Sequence, residues 1–265
     1  MIKTAYQGTI SGIGRRENME DYLLIHPCHS SNESTVFIVC DGMGGNEKGE
    51  VASKLAGEAF MTNLCMNEAF QKFSLHQSNF IDERTSNEVI RFLEDAFSKV
   101  QEEFDEYLSL NPGSAGMGTT AVVALLINNS MAVLHCGDSR LYHVRNGRCL
   151  WHTSDHSLVM EWVQQGRITE AEAAVHPRKN IITRAIQGNM VHIVKPDVHL
   201  INDILSGDYF FLATDGVREG VPDDELFEIL GSDKGEDDKL NIITERCTLN
   251  SRDNFSAVLV KVNCE

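Results

Sequence analysis

No apolar run in the sequence is longer than Ala121–Ile127. A helix needs about 20 such residues to span a bilayer, so a transmembrane helix is excluded. Positive charge is scarce: 23 Lys and Arg stand against 39 Asp and Glu, a formal net charge of −16. Such a chain repels a phosphate backbone, and no local basic patch offsets the repulsion, so nucleic acid is not an expected partner. The opening MIKTAYQGTI holds one lysine and no apolar stretch, unlike a secretory signal, and a cytoplasmic protein is expected. Cysteine patterning is also missing. The seven cysteines (Cys28, Cys40, Cys65, Cys136, Cys149, Cys247 and Cys264) are odd in number, with no Cys-x-x-Cys pair and no zinc-like spacing. Reduced thiols are expected, with Cys40 and Cys136 packing as small hydrophobes.

What is present suits a globular fold. The 265 residues are 42% hydrophobic, enough for a full core. Short strand-like runs alternate with longer helical ones. Strands are predicted at Tyr22–Ile25, Thr35–Cys40, Thr119–Ile127, Met131–Cys136, Leu141–Arg145, Arg148–His152, Val194–Leu200, Tyr209–Ala213 and Phe255–Val262. Asn146-Gly147 marks a hairpin. Helices are predicted over about Glu50–Met66, after a Thr85/Glu88 capping box, within Ser157–Arg184, and near Asp223–Leu230 and Lys239–Leu249. The stretch Gln71–Asp82 reads as a loop. No repeat or linker divides the chain, so one domain over 1–265 is expected. Hairpin-linked strands with two separate helical groups indicate an α+β layered sandwich rather than a parallel βαβ sheet.

Acidic residues recur where an apolar strand runs out: Asp41 in FIVCDGMGG, Asp138 in AVLHCGDSR and Asp215 in FFLATDG. Glu20 and Asp21 open a strand in RRENMEDY, and Asp253 precedes the last strand in SRDNFSAVLV. Asp-Gly pairs are turn formers, and each alone reads as a turn. Five settings together read differently, because the strands of a sandwich end on a common rim. Two unit charges about 4 Å apart repel by roughly 4 kcal/mol at an effective dielectric near 20. Cations or protons must therefore neutralise such a cluster. All-oxygen ligation selects a hard ion, Mg²⁺ or Mn²⁺. A pair of ions would activate water and hold an anionic substrate, the site of a metal-dependent phosphoryl hydrolase.

RRENMEDY, CDGMGGNEKGEVAS, GMGTTAVV, HCGDSRLYHVRNG, TSDHSLVMEWVQQGRITEAEAAVHP, ATDGV and RDNFSAVLV occur in this order over nearly the whole chain. In them the sequence resembles the metal-dependent protein serine/threonine phosphatases, the type 2C or PPM family, and its bacterial branch in particular. The resemblance implies a four-layer αββα sandwich: two central antiparallel sheets between helical layers, with the metal site at one rim. It implies phosphoserine and phosphothreonine hydrolysis by in-line attack of a metal-bridging hydroxide. Asp41, Asp215 and Asp253 would hold one Mn²⁺ or Mg²⁺, Asp41 and the Gly42 carbonyl a second, and Glu20 and Asp21 would bind that second ion directly or through water. Asp138 and Asp215 would hold a third, weaker ion. Arg16, rather than Arg15, has the family's spacing for gripping the phosphoryl group, and with Asp41 it is the expected catalytic residue. Residues of about 155–185 would form a flap beside the site. The implied partners are phosphorylated Ser/Thr proteins, a cognate serine/threonine kinase and its targets. Met43 stands where eukaryotic relatives carry a proton-donating histidine, so the general acid lies elsewhere.

Rival chemistries lack their residues. No cysteine has an arginine six positions on, and no Asp-x-Asp-x-Thr or Gly-x-Ser-x-Gly occurs. Gly116-Met117-Gly118-Thr119-Thr120-Ala121 matches a dinucleotide fingerprint on paper, yet a helix precedes it and a strand follows, the reverse of what that motif needs. A non-catalytic, phosphatase-like binding module would have lost metal acids. Here all of them are present.

Overall fold

The computed structural model describes residues 2–28, 35–44, 48–66, 83–127, 129–188 and 194–264. In chain order its strands are β1 (Ile2–Gly12), β2 (Asp21–Pro27), β3 (Thr35–Met43), β4 (Gly118–Thr119), β5 (Ala121–Ile127), β6 (Ser130–Cys136), β7 (Arg140–Arg145), β8 (Arg148–His152), β9 (Ile186–Gln187), β10 (Asp197–Ile201), β11 (Tyr209–Ala213) and β12 (Phe255–Cys264). The helices are α1 (Lys48–Cys65), α2 (Glu83–Leu110), α3 (Leu158–Gln164), α4 (Glu170–Val175), α5 (Asp215–Gly220), α6 (Asp223–Gly231) and α7 (Glu236–Asn250).

Two antiparallel sheets result. One runs β1-β12-β11-β7-β8, the other β10-β6-β5-β3-β4-β9 with β2 added on β3. Strand alternation builds the layers. In β3, Val36, Ile38 and Cys40 point one way, into a core shared with α1 and α2, while Phe37 and Val39 point the other, against the second sheet. In β12, Ala257 and Leu259 meet α5, α6 and α7, while Val258, Val260 and Val262 enter the space between the sheets. Each sheet is thus covered on both faces, giving the expected αββα order. Double-sided burial also explains why β5 and β11 read as unbroken apolar runs. Each large side chain so buried contributes roughly 1.5–3 kcal/mol.

Most predicted elements are found, with informative exceptions. The helix expected after Thr85 starts at Glu83, ahead of the capping signal, and its apolar stripe from Val89 to Phe104 is buried. The helical reading of Ser157–Arg184 resolves into the short α3 and α4, with Gly166 in a left-handed turn between them at φ 68°. β1 had no prediction, because its sequence IKTAYQGTISG mixes polar residues at both alternations. It is held at a sheet edge by ten paired positions on β12. The loop expected over Gln71–Asp82 lies outside the described residues. Reduced thiols were expected throughout, but Cys28 and Cys65 are joined as a disulfide. The ends of β2 and α1 bring their Cα atoms to 4.7 Å, a juxtaposition that a separation of 37 residues hides. Among the described residues, no helix is long and apolar enough to cross a membrane.

Candidate active site

β2 and β3 place Asp21 directly opposite Asp41 at one end of their ladder. There β3 delivers Asp41 and Gly42 to the rim between the sheets. Two threonines of the GMGTT segment fix this strand end: the Thr119 hydroxyl and the Thr120 amide both donate to the Asp41 carbonyl at 2.9 Å, and the Asp41 amide donates to Thr120 Oγ1 at 3.1 Å. Thr120 also hydrogen-bonds Ser139 Oγ at 2.7 Å, which ties the Asp138 turn to the Asp41 strand. Gly42 has no room for a side chain. A Cβ there would fall 2.0 Å from the Gly49 carbonyl and 2.6 Å from that of Glu20.

The remaining acids arrive by equally specific routes. Asp215 opens α5 directly after β11. Asp253 precedes β12, and its neighbour Asn254 holds the loop before β2: Asn254 Nδ2 donates to the carbonyls of Ile13 and Asn18, and the Glu20 amide donates to Asn254 Oδ1 at 2.8 Å. Through this clamp Arg16 lies over Asp253, with Nη2 2.5 Å from Oδ2. Among the described residues Arg15 has no such pair; its amide donates to the Arg252 carbonyl. The Gly49 amide, in the first turn of α1, donates to the Glu20 carboxylate.

The structure thus brings Arg16, Glu20, Asp41, Gly42, Asp138, Asp215 and Asp253 to the lining of one cavity of about 570 Å³. Asp21 does not line it. It lies behind the wall, buried, with Oδ2 accepting the Thr214 hydroxyl at 2.9 Å. Met43 faces the cavity where a proton donor would be useful, and its thioether has none to give. From the segment 155–185, Asn180 and Ile182 reach the same cavity.

Electrostatics follow from burial and crowding. Desolvation, more than any other cause, pushes the Asp138 carboxyl up to about 7, with the charge of Asp215 adding to it and Arg218 opposing it. Burial likewise raises Asp21 to about 7, despite hydrogen bonds from Thr214 and Ser256 that pull the other way. Asp41 rises well above the ordinary carboxylate range, first by burial and then by the charges of Asp21, Asp215, Asp138 and Asp253. Asp215 is also raised by burial, and it hydrogen-bonds Asp41. Asp21 Oδ1, Asp138 Oδ1 and Asp215 Oδ1 are buried without any hydrogen-bond partner. Buried carboxylate oxygens normally find donors. Three orphaned on one rim, in an all-oxygen set, fit hard divalent cations.

Sequence reasoning missed the cations behind this rim. Arg218, three residues after Asp215, donates to the Asp138 carbonyl at 3.0 Å and to Asp155 Oδ2 at 3.1 Å. Arg140, in GDSR, forms a two-pronged pair with Asp155 at 2.6 and 2.9 Å and reaches Asp223 at 3.1 Å. Burial would raise Asp155, but Arg218 and Arg140 hold it below the usual carboxylate range. The available signal was a basic residue one helical turn beyond a site acid. Arg218→Met is expected to lower metal affinity by roughly 10–100-fold, as for other groups that brace a ligand. It should also cost about 3 kcal/mol in urea unfolding, by leaving buried Asp155 short of a cation. His156, within the 155–185 segment, is a packing residue. Its Nδ1 accepts the Gly137 amide at 3.1 Å, and its ring stacks on His135.

Comparison with known proteins agrees with this geometry. The protein phosphatase 2C family profile matches residues 8–254. Protein phosphatase PhpP of Streptococcus pneumoniae is 32% identical over 254 residues, covering 95% of this chain and 94% of that protein. Serine/threonine phosphatase Stp of Listeria innocua is 30% identical over 237 residues, 88% and 87% of the two chains. Among solved structures, Stp1 of Staphylococcus aureus superposes with a TM-score of 0.79 at 28% identity, covering 96% of this chain and 94% of that one. The catalytic domain of PstP with two manganese ions superposes at 0.76 and 25% identity over the full length of both chains. With the fold, the order of the motifs and the relatives coinciding along the whole length, the chain belongs to the protein phosphatase 2C family and is a metal-dependent protein serine/threonine phosphatase.

Proposed function

We propose that the residues on this rim divide the work as follows. Asp41, Asp215 and Asp253 hold one divalent cation; Asp41 and the Gly42 carbonyl hold a second, with Glu20 as a direct ligand and Asp21 acting from behind. Asp138 with Asp215 offers a third, weaker position. Mn²⁺ is favoured over Mg²⁺ by analogy with the manganese ions in the PstP structure. When bound, such ions neutralise the carboxylates, polarise the phosphoryl oxygens and make water a competent nucleophile at neutral pH. The observation that carries this reading is the pair of orphaned, buried carboxylate oxygens of Asp138 and Asp215 in a cavity that Glu20, Asp41 and Asp253 also line, with a third orphan on Asp21 behind its wall.

The chain's own groups then bind and orient the phosphomonoester. Arg16 is half-exposed at the cavity mouth, and its planar guanidinium offers paired N–H donors to two phosphoryl oxygens. Asp253 aims that guanidinium through their ion pair. Glu20 stays fixed by the Gly49 amide. Among the described residues no cysteine, histidine or serine lines the cavity, and the carboxylates that do are those assigned to the cations. Asn180 and Ile182 belong to a flap, residues 155–185 of a single 1–265 domain, which would meet the protein part of the substrate. The physiological substrates would be a cytoplasmic serine/threonine kinase and its targets.

The test is hydrolysis of p-nitrophenyl phosphate and of phosphoserine, phosphothreonine and phosphotyrosine peptides, with Mn²⁺ and with EDTA. Activity should require the metal, favour the first two peptides, and collapse in Asp253→Ala. Full activity in EDTA, or in that variant, would sink the assignment.

A further inference from the structure

We propose that His26, Cys28 and Cys65 form a second metal site, for a thiophilic divalent cation of the Zn²⁺ type, filled in the dithiol state and closed in the disulfide state. Cys28 directly follows the last residue of β2, and Cys65 is the last residue of α1. His26, in the same strand, completes the group: one donor atom from each of the three lies within 4.8 Å of the others. Cys28 is half-buried and Cys65 is buried. His26 Nδ1 is itself buried and makes no hydrogen bond. A buried ring nitrogen without a partner has lost its bond to water and gained none in return, so it sits there at a loss unless something binds it.

The donor chemistry selects the ion. Two thiolates and an imidazole suit Zn²⁺ and reject Mg²⁺, the reverse of the all-oxygen rim. Zn–S and Zn–N bonds of about 2.3 and 2.0–2.1 Å set tetrahedral ligands roughly 3.5 Å apart, within reach of donors this close, and the described residues supply three of the four ligands. The two sites are separate, since His26 lies five residues along β2 from Asp21, about 17 Å at the usual strand rise. The comparable His135, His156 and Asp197 group is unsuited to a cation: Arg184 Nη1 already lies 3.2 Å from His156 Nε2 and 2.8 Å from Asp197 Oδ1.

Closing the disulfide needs an oxidant, for which a disulfide such as oxidised glutathione suffices. The two thiolates give it two electrons, it takes up two protons and leaves as two thiols, Cys28 Sγ bonds to Cys65 Sγ, and the cation is released. The site thereby exchanges a metal cross-link for a covalent one between the same strand and helix.

Co²⁺ substitution tests this on the whole protein, reduced with a phosphine. A thiolate ligand gives a sulfur-to-cobalt charge-transfer band in the near ultraviolet, whereas carboxylates give none. The reduced protein should show the band, and Zn²⁺ or oxidised glutathione should abolish it. Cys65→Ser and Cys28→Ser should each remove the band in proteins that still melt cooperatively, and His26→Gln should weaken Co²⁺ binding by roughly tenfold or more. Cys149→Ser and Cys264→Ser should keep it, as should Asp215→Asn, which separates this site from the rim. Bound Co²⁺ without a charge-transfer band, or a band that survives Cys65→Ser, overturns the proposal.

Discussion

Asp41→Asn is expected to lower kcat by about 10³-fold or more and to remove the rise in melting temperature that Mn²⁺ gives the native protein. Asp41 is the acid assigned to both principal ions, so its loss withdraws several kcal/mol of transition-state charge stabilisation. Asparagine keeps the shape of the side chain. The bonds from Thr119 and Thr120 fall on the backbone of residue 41 and survive the change. Only the folded state assembles the acid rim, so Mn²⁺ at about 100 times its Kd should stabilise the wild type by roughly 3 kcal/mol, or about 5–10 °C in Tm. In EDTA the order of stability should reverse. The mutant lacks a carboxyl that the folded state must either protonate or bury charged, so it is at least as stable as the parent at pH 8, whereas a damaged fold would melt lower in both conditions. A normal Mn²⁺ response in Asp41→Asn would refute the cluster argument.

The second large effect is on pH. In EDTA the native protein should lose about 2 kcal/mol or more of stability between pH 6.5 and 8.5, and Mn²⁺ should cancel or reverse the slope. Burial pushes Asp21 and Asp138 up to about 7 in the folded state, against an ordinary value of 3.8, and also raises Asp41 well above the ordinary carboxylate range. Above pH 4 the folded chain therefore holds protons that the unfolded chain has released, and stability falls as pH rises through the folded values. A shift of about three pKa units corresponds to about 4 kcal/mol for one carboxyl over the full range. Each carboxyl that takes a proton relieves its neighbours, so the effects overlap rather than add. Two buried histidines act oppositely at lower pH. Burial depresses His135, and holds His156 at about 4, so the folded state binds fewer protons there than the unfolded one. Their contribution is lost as pH falls below about 6.5, which is why the window starts there. Urea midpoints at pH 6.5, 7.5 and 8.5, with EDTA or Mn²⁺, decide the matter. A midpoint in EDTA that stays level or rises with pH would contradict the protonation scheme.

Much of this site was legible because each acid ends a strand that announces itself by apolar residues: Asp41 after FIVC, Asp138 after AVLHC, Asp215 after FFLAT. The layers were legible for the same reason, since runs such as AVVALLI leave no polar face to give to water. What stayed hidden depends on which ends meet in space. Asp21 carries the same signal as Glu20, and only the sheet shows that one faces the cavity and the other turns behind it. Arg218 reads as an ordinary helix-surface cation, yet it is largely covered behind the rim, bonded to the Asp138 carbonyl and to Asp155. β1 lacks a clean period because an edge strand has less of its surface to bury. The cysteine pair is a contact between the ends of two elements, and neither Cys28 nor Cys65 has a local pattern that records it.

The pairing of β1 with β12 has a consequence for how the enzyme comes into being. Arg16 meets Asp253 across 237 residues, and Glu20 meets Asn254 across 234. Contacts of such separation carry a large loop-closure penalty and form late. On the ribosome, the sheet holding β5 and β6 can begin to organise while the strand that completes the other sheet is still unmade. Arg16, proposed above to grip the phosphoryl group, then meets its acid partner only once Asp253 has been made. A chain that stops short of Asp253 should therefore be catalytically silent, so the topology keeps such unfinished molecules from removing phosphate from anything.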